Sequence, residues 1–363
     1  DHEVVKTNWK DGRRSLWPAL QPMPDIDDLA STPEPPLLIL LPVTDLDDLL
    51  TIGERDGYHE ARTWVLAKAI EAGPVAHVPR ILSAREDVAP SPRRPLQRAI
   101  RSDASARELL VVIPTRDGGQ LLKTCVNSLL KTASHPARIR FVVIDNGSRD
   151  TDTLALLGKL KKRKDTEVLR VDEPFNWSRL NNLAVGAEFG TLADLVFVND
   201  DTEMLTIGWD LRVASHLARP KIGIVGARML YPNGTVQHAG IAMGVADGMP
   251  IHEGAHVEGG DGGPLDRWRR TRSAAAVTGA FMAIRRNVFD RIGGFDDLNL
   301  AVAYNDIDLC LRVREQGLRV LYDAEVELIH HESVSRGRND NAARIAWDHG
   351  ELLGLNERWG KAL

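Results

Sequence analysis

The chain has 363 residues, a formal net charge of −5 and a hydrophobic fraction of 43%, which is typical of a globular protein. This length exceeds the usual size of a single hydrophobic core, so we expect one fair-sized domain and a smaller unit. The slight negative charge argues against nucleic acid as a partner, and the basic runs at residues 161–164 and 267–272 are interpreted as solvated faces. The longest apolar run, residues 36–43, is too short to span a bilayer.

The first 105 residues are predicted to form a separate N-terminal extension. Residues 1–35 are rich in Pro, Asp and Trp and show little periodicity, and prolines at 90, 92 and 95 indicate a linker. The elements predicted between and after them are a strand at 37–41, a helix at 61–72, a short segment at 75–82 and an amphipathic helix at 96–107.

From residue 108 the pattern alternates strand and helix, which is typical of a mostly parallel sheet with helices on both faces. We expect Pro114 to stop the first strand and residues 223–226 to close the parallel part. Right-handed crossovers place the ends of the strands at one edge of the sheet. Strands are predicted at 109–113, 140–144, 167–171, 195–198 and 223–226, and helices at 121–130, 153–162, 178–189 and 208–218.

The only two cysteines, Cys125 and Cys310, lie in apolar helical patterns and are predicted to be core residues. They provide no disulfide framework, which fits a reducing compartment. Because no signal peptide is visible either, we expect a cytoplasmic protein. The inner face of the plasma membrane is the other expected position, through peripheral association.

Polar side chains follow three of the predicted strands. Asn199, Asp200 and Asp201 come directly after an apolar run, and ligands of open α/β sheets collect at this edge. A carboxylate pair there can hold a divalent cation against the phosphates of a nucleotide. The alternative is that residues 199–201 only cap the next element.

A base-reading position is predicted at Asp145, because a carboxylate can accept a hydrogen bond from the imide N–H of uracil or thymine. Thr115, Arg116 and Asp117 can frame the same base or the diphosphate. An Asx-turn or helix cap in Asp-Asn-Gly-Ser is the alternative for Asp145. Neither GxGxxG after the first strand nor GxxxxGK[ST] occurs, so dinucleotide and P-loop sites lose their usual support.

The second half is predicted to be less regular. Asn233-Gly234 indicates a hairpin turn, and the Gly-rich residues 238–264 indicate a long loop. Within it, His252 and His256 have the spacing of half a metal site, although no third ligand supports one. A strand at 277–284 and a short helix closed by Gly293-Gly294 follow.

Asn305 is a good N-cap, which would put Asp306 in the first turn of a helix, where the macrodipole keeps a carboxylate ionised and able to act as a base. Asp308 would point away and bond to backbone N–H groups or an arginine. The alternative is that both carboxylates only cap the helix. His330 ends a later strand and could reach the same cleft, although a structural role is the commoner one.

In order along the chain, these residues resemble the motifs of the family 2 glycosyltransferases, over residues 108–337. The most similar branch builds bacterial surface polysaccharides such as O-antigen and includes rhamnosyltransferases. Eight motifs in one order are specific for the family and say almost nothing about the sugar. They are 111–117, 143–148, 175–182, 199–201, 278–280, 293–296, 305–308 and 330–333.

The resemblance implies a GT-A fold, with a catalytic domain at 106–340 and a C-terminal helical tail at 341–363. It also implies inversion at the anomeric carbon, a UDP- or dTDP-linked sugar donor, a glycan or lipid-linked glycan acceptor, and Mn²⁺ or Mg²⁺. Residues 76–82 resemble the tail that follows a glycosyltransferase module in tandem enzymes. The extension is therefore expected to be the remnant of a preceding module, and other such modules are expected partners.

By position in these motifs, Asp145 matches the base-binding aspartate of the family and Asp306 its catalytic base. Asp201 matches the metal-binding end of the Asp-x-Asp motif. His330 matches a further metal ligand, with His331 as the alternative. Two departures stand out, since Asn199 replaces a common aspartate and Asn305 a common glutamate. The expected nucleotide-binding set is Pro114, Thr115, Arg116, Asp117, Asp145, Asn182, Asn199 and Asp200, and the expected sugar or acceptor set is Gly279, Asn305 and Asp308.

Two other classes of function stay open. A nucleotidyltransferase should carry a Gly-rich basic loop after its first strand, and Gly118-Gly119 with Arg116 is a poor version of that loop. A non-catalytic glycan-binding or scaffold module of a larger protein is favoured only if Asp306 is dispensable. The nucleotide base, donor sugar, acceptor and linkage are not readable from the residues.

Overall fold

The computed structural model of the chain describes residues 2–7, 14–19, 83–86, 107–187, 189, 192–245, 249–331 and 342–360. The chain divides into two compact units, one made of residues 1–99 and 262–273 and the other of residues 100–261 and 274–363. The elements predicted at 37–41, 61–72 and 75–82, and almost all of 96–107, lie outside the described residues. No helix among the described residues is long and apolar enough to cross a membrane.

The first unit contains strands β1 (His2–Thr7), β2 (Arg14–Ala19) and β3 (Ser83–Glu86) in the order β2-β1-β3. β1 pairs antiparallel with β2 and parallel with β3. Residues 1–35 contain β1 and β2 although the sequence shows little periodicity there, because six-residue strands are too short to show a clear period of two. This unit also contains a 3₁₀ helix, Pro264–Arg269, and the short strand β13, Arg272–Ser273.

The second unit follows the predicted alternation of strands and helices. Its helices are α1 (Gly119–Thr132), a 3₁₀ turn (Pro136–Arg138), α2 (Thr151–Leu160), α3 (Trp177–Gly186), α4 (Trp209–Leu217), α5 (Arg286–Ile292), α6 (Asn305–Glu315) and α7 (Ala342–Trp359). Its strands are β4 (Leu109–Thr115), β5 (Ile139–Asp145), β6 (Thr166–Arg170), β7 (Asp194–Val198), β8 (Thr202–Met204), β9 (Ile222–Leu230), β10 (Val236–His238), β11 (Ile241–Val245), β12 (Met249–His252), β14 (Phe281–Ile284) and β15 (Arg319–His330).

The central sheet of this unit runs in the order β15-β9-β14-β7-β4-β5-β6. Neighbouring strands are parallel except around β14, which is antiparallel to both β7 and β9. The expectation that residues 223–226 directly close the parallel part is therefore wrong. A strand from much later in the chain lies between β7 and β9, and local periodicity does not reveal such a partner.

Both faces of the sheet are buried. On one face, alternate strand residues such as Val196 and Phe281 pack with Leu122 of α1 and Trp209 of α4. On the other face, Phe197 lies 5.2 Å from Phe289 of α5, between ring centroids. Helices therefore cover both faces of the sheet, as predicted. Because both faces are buried, the strands are continuous apolar runs in the sequence.

The first strand does not stop at Pro114. β7 pairs with β4 only as far as Val112, opposite Phe197. The Thr115 carbonyl accepts from Asn146 on the β5 side, so the backbone of Pro114 faces the β7 side, where pairing has ended. The missing N–H of proline therefore leaves no ladder bond unmade, and β4 continues to Thr115.

The segment at 238–264 is not one long loop. The Asn233-Gly234 hairpin is confirmed, with Gly234 at φ +84° and β9 pairing antiparallel with β10. After it, β11 and β12 form a two-stranded antiparallel sheet in which Ile241 lies opposite His252. Frequent glycines masked these short strands, because they interrupt any apolar alternation.

Candidate functional site

The predicted strand ends do meet at one edge of the sheet. Thr115 is the register partner of Asp145 between β4 and β5. From the end of β4, the Thr115 hydroxyl donates to Asp200 Oδ2 at 2.6 Å, just beyond β7. Asp145, Asp200 and Asp201 are all buried. The sheet therefore gathers several carboxylates where the sequence predicts a nucleotide.

Asp117 links the two loops that follow β4 and β5. It has a positive φ of 51°, and its carboxylate accepts the backbone N–H groups of Arg149 and Asp150 at 2.6 and 2.8 Å. These bonds, first from Asp150 and then from Arg149, hold the pKa of Asp117 below its usual range. Its own N–H donates to Ser148 Oγ at 3.0 Å. Asp117 thus shapes the loops, while Arg116 beside it is exposed.

Asp145 uses both of its oxygens inside the protein. Oδ1 accepts the N–H of Ser148, three residues on, at 2.8 Å, which is the pattern of a cap, one of the alternatives for Asp145. Oδ2 accepts from Arg170 Nη1 at 2.7 Å. Arg170 was not singled out from the sequence, although it ends β6 directly opposite Asp145 in the parallel register. A carboxylate offers about four lone-pair sites, so Asp145 can accept a further N–H.

A carboxylate and an imidazole converge beside these residues. His330 Nε2 lies 3.1 Å from Asp201 Oδ1. The pairing of β8 with β15 sets this approach, because His330 lies opposite Thr202 and the N–H of His331 donates to the Asp201 carbonyl at 2.9 Å. His331 turns to the other side, with Nε2 3.9 Å from Glu203.

Gln237 on β10 supports the imidazole from behind. Its Oε1 lies 2.8 Å from His330 Nδ1, so it can accept that N–H and leave the lone pair of Nε2 facing Asp201. Gln237 was not predicted, because no local pattern connects a hairpin strand with a residue 93 positions later.

This pair of side chains fits a divalent cation. Two ligands at right angles on an ion about 2.1 Å away lie roughly 3 Å apart, close to the observed separation of Asp201 and His330. Among the described residues no cluster of three His, Cys, Asp or Glu side chains could hold a metal. A cation here would therefore need oxygens from a bound ligand or water.

Cys125 lies close to Thr202, the residue after Asp201, but it does not suit the role of a metal ligand. Its Sγ is 3.5 Å from Thr202 Oγ1. Burial raises the pKa of the Cys125 thiol to about 12, so the group stays a neutral thiol at neutral pH. Cys125 and Cys310 are both buried and unpaired, as predicted.

Asn199 joins the carboxylates to the second half of the site. Its Oδ1 accepts the indole N–H of Trp177 at 3.1 Å, and its Nδ2 is 3.4 Å from His330 Nε2. Its backbone N–H donates to the Ala280 carbonyl at 3.1 Å. Trp177 fixes the orientation of the amide, a role that was not predicted from the sequence.

Asp306 lies beside Gly279, the neighbour of the Ala280 that Asn199 contacts. Its Oδ2 accepts the N–H of Gly279, next to Ala280, at 2.8 Å, and its Oδ1 accepts the N–H of Ile307 at 2.8 Å. The side chain is partly exposed. It stands in the first turn of α6, as predicted. Asp306 is therefore a fixed, solvent-reachable carboxylate beside the predicted nucleotide site.

The N-cap prediction for Asn305 is wrong by one residue. The cap is Tyr304, whose φ of +58° turns the chain into α6, and Asn305 is the first helical residue. The Asn305 side chain donates back to the Val302 carbonyl at 3.2 Å.

Asp308 points away from Asp306 and is fully buried. Its Oδ2 accepts from Arg312 at 2.7 Å and its Oδ1 from the Trp359 indole at 2.9 Å. The predicted arginine partner is therefore present. This buried position gives Asp308 no contact with the predicted sugar side of the cleft.

The contacts of Asn182, His252 and His256 are with other parts of the chain. Both polar atoms of the Asn182 amide bond to the backbone of Phe295, at 2.9 and 3.0 Å. His252 is 3.2 Å from His238 between their Nδ1 atoms, while His256 stacks on Tyr231. The half metal site considered for His252 and His256 is therefore not assembled.

Several known proteins are similar to this chain. The family model described as "Glycosyltransferase like family 2" matches residues 106–346. The uncharacterized protein y4gI of Sinorhizobium fredii is 37% identical over 250 residues, which are 69% of this chain and 27% of that protein. The O-antigen biosynthesis protein RfbC of Myxococcus xanthus is 37% identical over 229 residues, 62% of this chain and 17% of that protein. The chain thus spans a small part of the length of both.

An N-acetylglucosaminyl-diphospho-decaprenol L-rhamnosyltransferase of Mycobacterium tuberculosis is 24% identical over 263 residues, covering 66% of this chain and 81% of that protein. Among solved structures, the crystal structure of GalNAc-T7 with UDP, GalNAc and Mn²⁺ matches with a TM-score of 0.50 and 16% identity, over 62% of this chain and 44% of that chain. At this identity the likeness concerns the fold alone, and the predicted GT-A fold is confirmed.

Proposed function

This chain belongs to glycosyltransferase-like family 2, and from that premise we propose that it is an inverting glycosyltransferase. It transfers a sugar from a UDP- or dTDP-linked donor to a glycan or lipid-linked glycan in the synthesis of a bacterial surface polysaccharide. The relatives named for O-antigen biosynthesis and rhamnosyl transfer support the class of pathway. The position of Asp306 carries the proposal, since it sets a separate carboxylate beside the strand-end acids.

The nucleotide half is assigned to the edge formed by β4, β5 and β7. Asp145 accepts the imide N–H of the base, and Asp200, held by Thr115, lies at the ribose or diphosphate. The Arg170 partner of Asp145 has a half-exposed side chain, so it can shift when a base arrives. Uracil and thymine both present this imide N–H, whereas cytosine does not.

Asp201 and His330 are the residues that would hold Mn²⁺ or Mg²⁺. Such an ion supplies positive charge against the leaving diphosphate. Asn199 stands where many family members have an aspartate, so this chain brings one carboxylate fewer. In its place the chain offers an amide held by Trp177, and His330 held by Gln237.

The chemical step is assigned to Asp306. Its carboxylate removes the proton from an acceptor hydroxyl while that oxygen bonds to the anomeric carbon and the bond to the diphosphate oxygen breaks. Two backbone N–H bonds and the first helical turn favour the ionised form that a base requires. General-base catalysis of this kind typically contributes about 10²- to 10⁴-fold to the rate.

The remaining parts of the chain are assigned by position. We assign residues 106–340 to the catalytic domain, residues 341–363 to a C-terminal tail and residues 1–105 to the remnant of a preceding module. Two relatives extend far beyond the part that this chain matches, which supports further segments in proteins of this type. Two buried, unpaired cysteines support a cytoplasmic position, with peripheral contact to the membrane that carries a lipid-linked acceptor.

Ligand-induced stabilisation tests the nucleotide and metal roles together. We expect UDP or dTDP to raise Tm with Mn²⁺ present and to do so far less in EDTA, whereas CDP, whose base lacks the imide N–H, should have a smaller effect than UDP. Ligand at about 100 times its Kd adds roughly 2.7 kcal/mol. Asp201→Ala should lose the Mn²⁺-dependent part, and Glu203→Gln, at the neighbouring acid, should keep it. Equal affinity for UDP or dTDP in EDTA and in Mn²⁺ would contradict the metal role.

A further inference from the structure

One buried carboxylate of the C-terminal helix α7 caps the loop in front of Asp306. The side chain of Glu351 accepts the backbone N–H groups of Ala301 at 2.8 Å and Val302 at 3.2 Å. Its second oxygen accepts the N–H of Ala303. Glu351 is only 6% exposed, so these charge-assisted bonds form away from bulk water.

Three successive N–H groups aimed at one anion form a concave anion site of the backbone. The loop at 301–303 belongs to no helix or strand, so no helix or sheet ladder pairs these N–H groups. Directly after it, Tyr304 adopts a left-handed φ of +58°. A non-glycine residue keeps such a conformation only when its surroundings hold it there. Asp306 follows two residues later, so the course of this loop determines where its carboxylate stands.

The same helix also supports the other side of Asp306. The Trp359 indole donates to Asp308 Oδ1 at 2.9 Å, inside α6. Glu351, Leu355 and Trp359 lie four residues apart, so they share one face of α7, and all three are buried. One face of α7 thus contacts both the loop before Asp306 and the helix that carries it.

We propose that Glu351 is a positioning residue for the general base, which rests on the function proposed above. It touches neither donor nor acceptor. Its carboxylate holds residues 301–303, and through them the turn at Tyr304, so that Asp306 Oδ2 stays at the Gly279 N–H and faces the acceptor hydroxyl. A misplacement of about 1 Å at a reacting group can lower a rate about 10²-fold.

Glu351→Gln is a sharp perturbation, because the amide keeps the size of the side chain. It removes the charge and turns an NH₂ donor toward backbone N–H donors. Glu357→Gln is the matched control, since Glu357 lies on the exposed side of the same helix. Glu351→Asp keeps the charge but is one methylene shorter, and it serves if the Gln variant does not fold.

We expect Glu351→Gln to lower kcat about 10- to 100-fold while the Kd of UDP or dTDP with Mn²⁺ stays within about twofold. Glu351→Asp should give an intermediate kcat, and Glu357→Gln should equal the parent. In an Asp306→Asn background, Glu351→Gln should lower the residual rate less than about threefold, because the group that it positions is already gone. A purely structural role predicts the full loss in both backgrounds, and that result would overturn the proposal.

Hydrogen exchange separates this proposal from the proposed function. Glu351→Gln should speed exchange at the amides of residues 301–303 and 306–307, whereas Glu357→Gln should not. Unchanged exchange there, or a kcat within about twofold of the parent, would overturn the role of Glu351. If the parent chain transfers no sugar while exchange responds as expected, the proposed function fails and the loop contact stands.

Discussion

Gly118 makes the close approach of α1 to Asp200 possible, and Gly118→Ala should disturb the nucleotide site in a measurable way. A Cβ at residue 118 would lie 2.7 Å from Asp200 Oδ2 and 3.5 Å from Thr115 Oγ1. The backbone of Gly118, at φ −104° and ψ 33°, does not have the positive φ that disfavours alanine. The expected effect therefore comes from the contact with Asp200.

The size of the effect follows from how firmly Asp200 is held. An ordinary contact begins near 3.4 Å, so Oδ2 or the start of α1 must move by about 0.7 Å. Asp200 is only 7% exposed, and its 2.6 Å bond with Thr115 would stretch beyond hydrogen-bond length. A hydrogen bond to a charged group contributes about 1.5–3 kcal/mol, so nucleotide affinity or stability should fall by that amount, about 10- to 150-fold in affinity.

The assay compares Gly118→Ala with Gly158→Ala in α2, where an added Cβ meets nothing within 4 Å. The control should gain about 0.5–1 kcal/mol from helix propensity and bind UDP or dTDP as the parent does. Urea unfolding and titration calorimetry with Mn²⁺ report the two quantities. If Gly118→Ala leaves both the unfolding free energy and the Kd unchanged, the packing argument at Asp200 is refuted.

Two further substitutions test separate carboxylates. Asp145→Ala should weaken UDP or dTDP binding about 10- to 150-fold in titration calorimetry, and an unchanged Kd would show that Asp145 does not read the base. Asp323, buried in β15, accepts from Arg212 Nε at 2.6 Å and lies 2.9 Å from His216 Nε2. Burial alone raises the pKa of Asp323, but His216 and Arg212 outweigh burial and hold it below its usual range. This stabilisation is therefore present above pH ~4 and lost as pH falls through the lower folded pKa. Asp323→Asn should cost about 3–5 kcal/mol at pH 7 and flatten the acid limb of urea unfolding, whereas equal acid limbs would argue against the pairing.

The alternation of strands and helices was predictable because strands buried on both faces are continuous apolar runs. The same apolar runs do not show which strands lie next to each other in the sheet. β14 lies between β7 and β9 through pairings such as Met282 with Phe197 and Gly226, which are distant in sequence. Pro114 was misjudged for a similar reason, since its tolerance depends on where pairing with β7 ends.

In the candidate site, polar residues at strand ends could be found from the sequence, because their position relative to an apolar run is local information. Their partners could not be found in this way. Arg170, Gln237, Trp177 and Glu351 reach the site from other elements, 22 to 93 positions from the groups that they contact. A check of parallel register would have suggested Arg170, since it ends the strand beside Asp145.

The central claim is that Asp306 is the general base, and the turnover of Asp306→Asn tests it most directly. The substitution keeps an oxygen that can accept the Gly279 N–H, so the fold and the donor site should be preserved. With the donor found by the stabilisation screen, we predict a kcat about 10²- to 10⁴-fold lower and an unchanged Kd for the nucleoside diphosphate. Asp308→Asn should instead lower the unfolding free energy, because Asp308 is buried with Arg312 and Trp359. Near-normal kcat in Asp306→Asn, with turnover lost only in Asp308→Asn, would contradict the account.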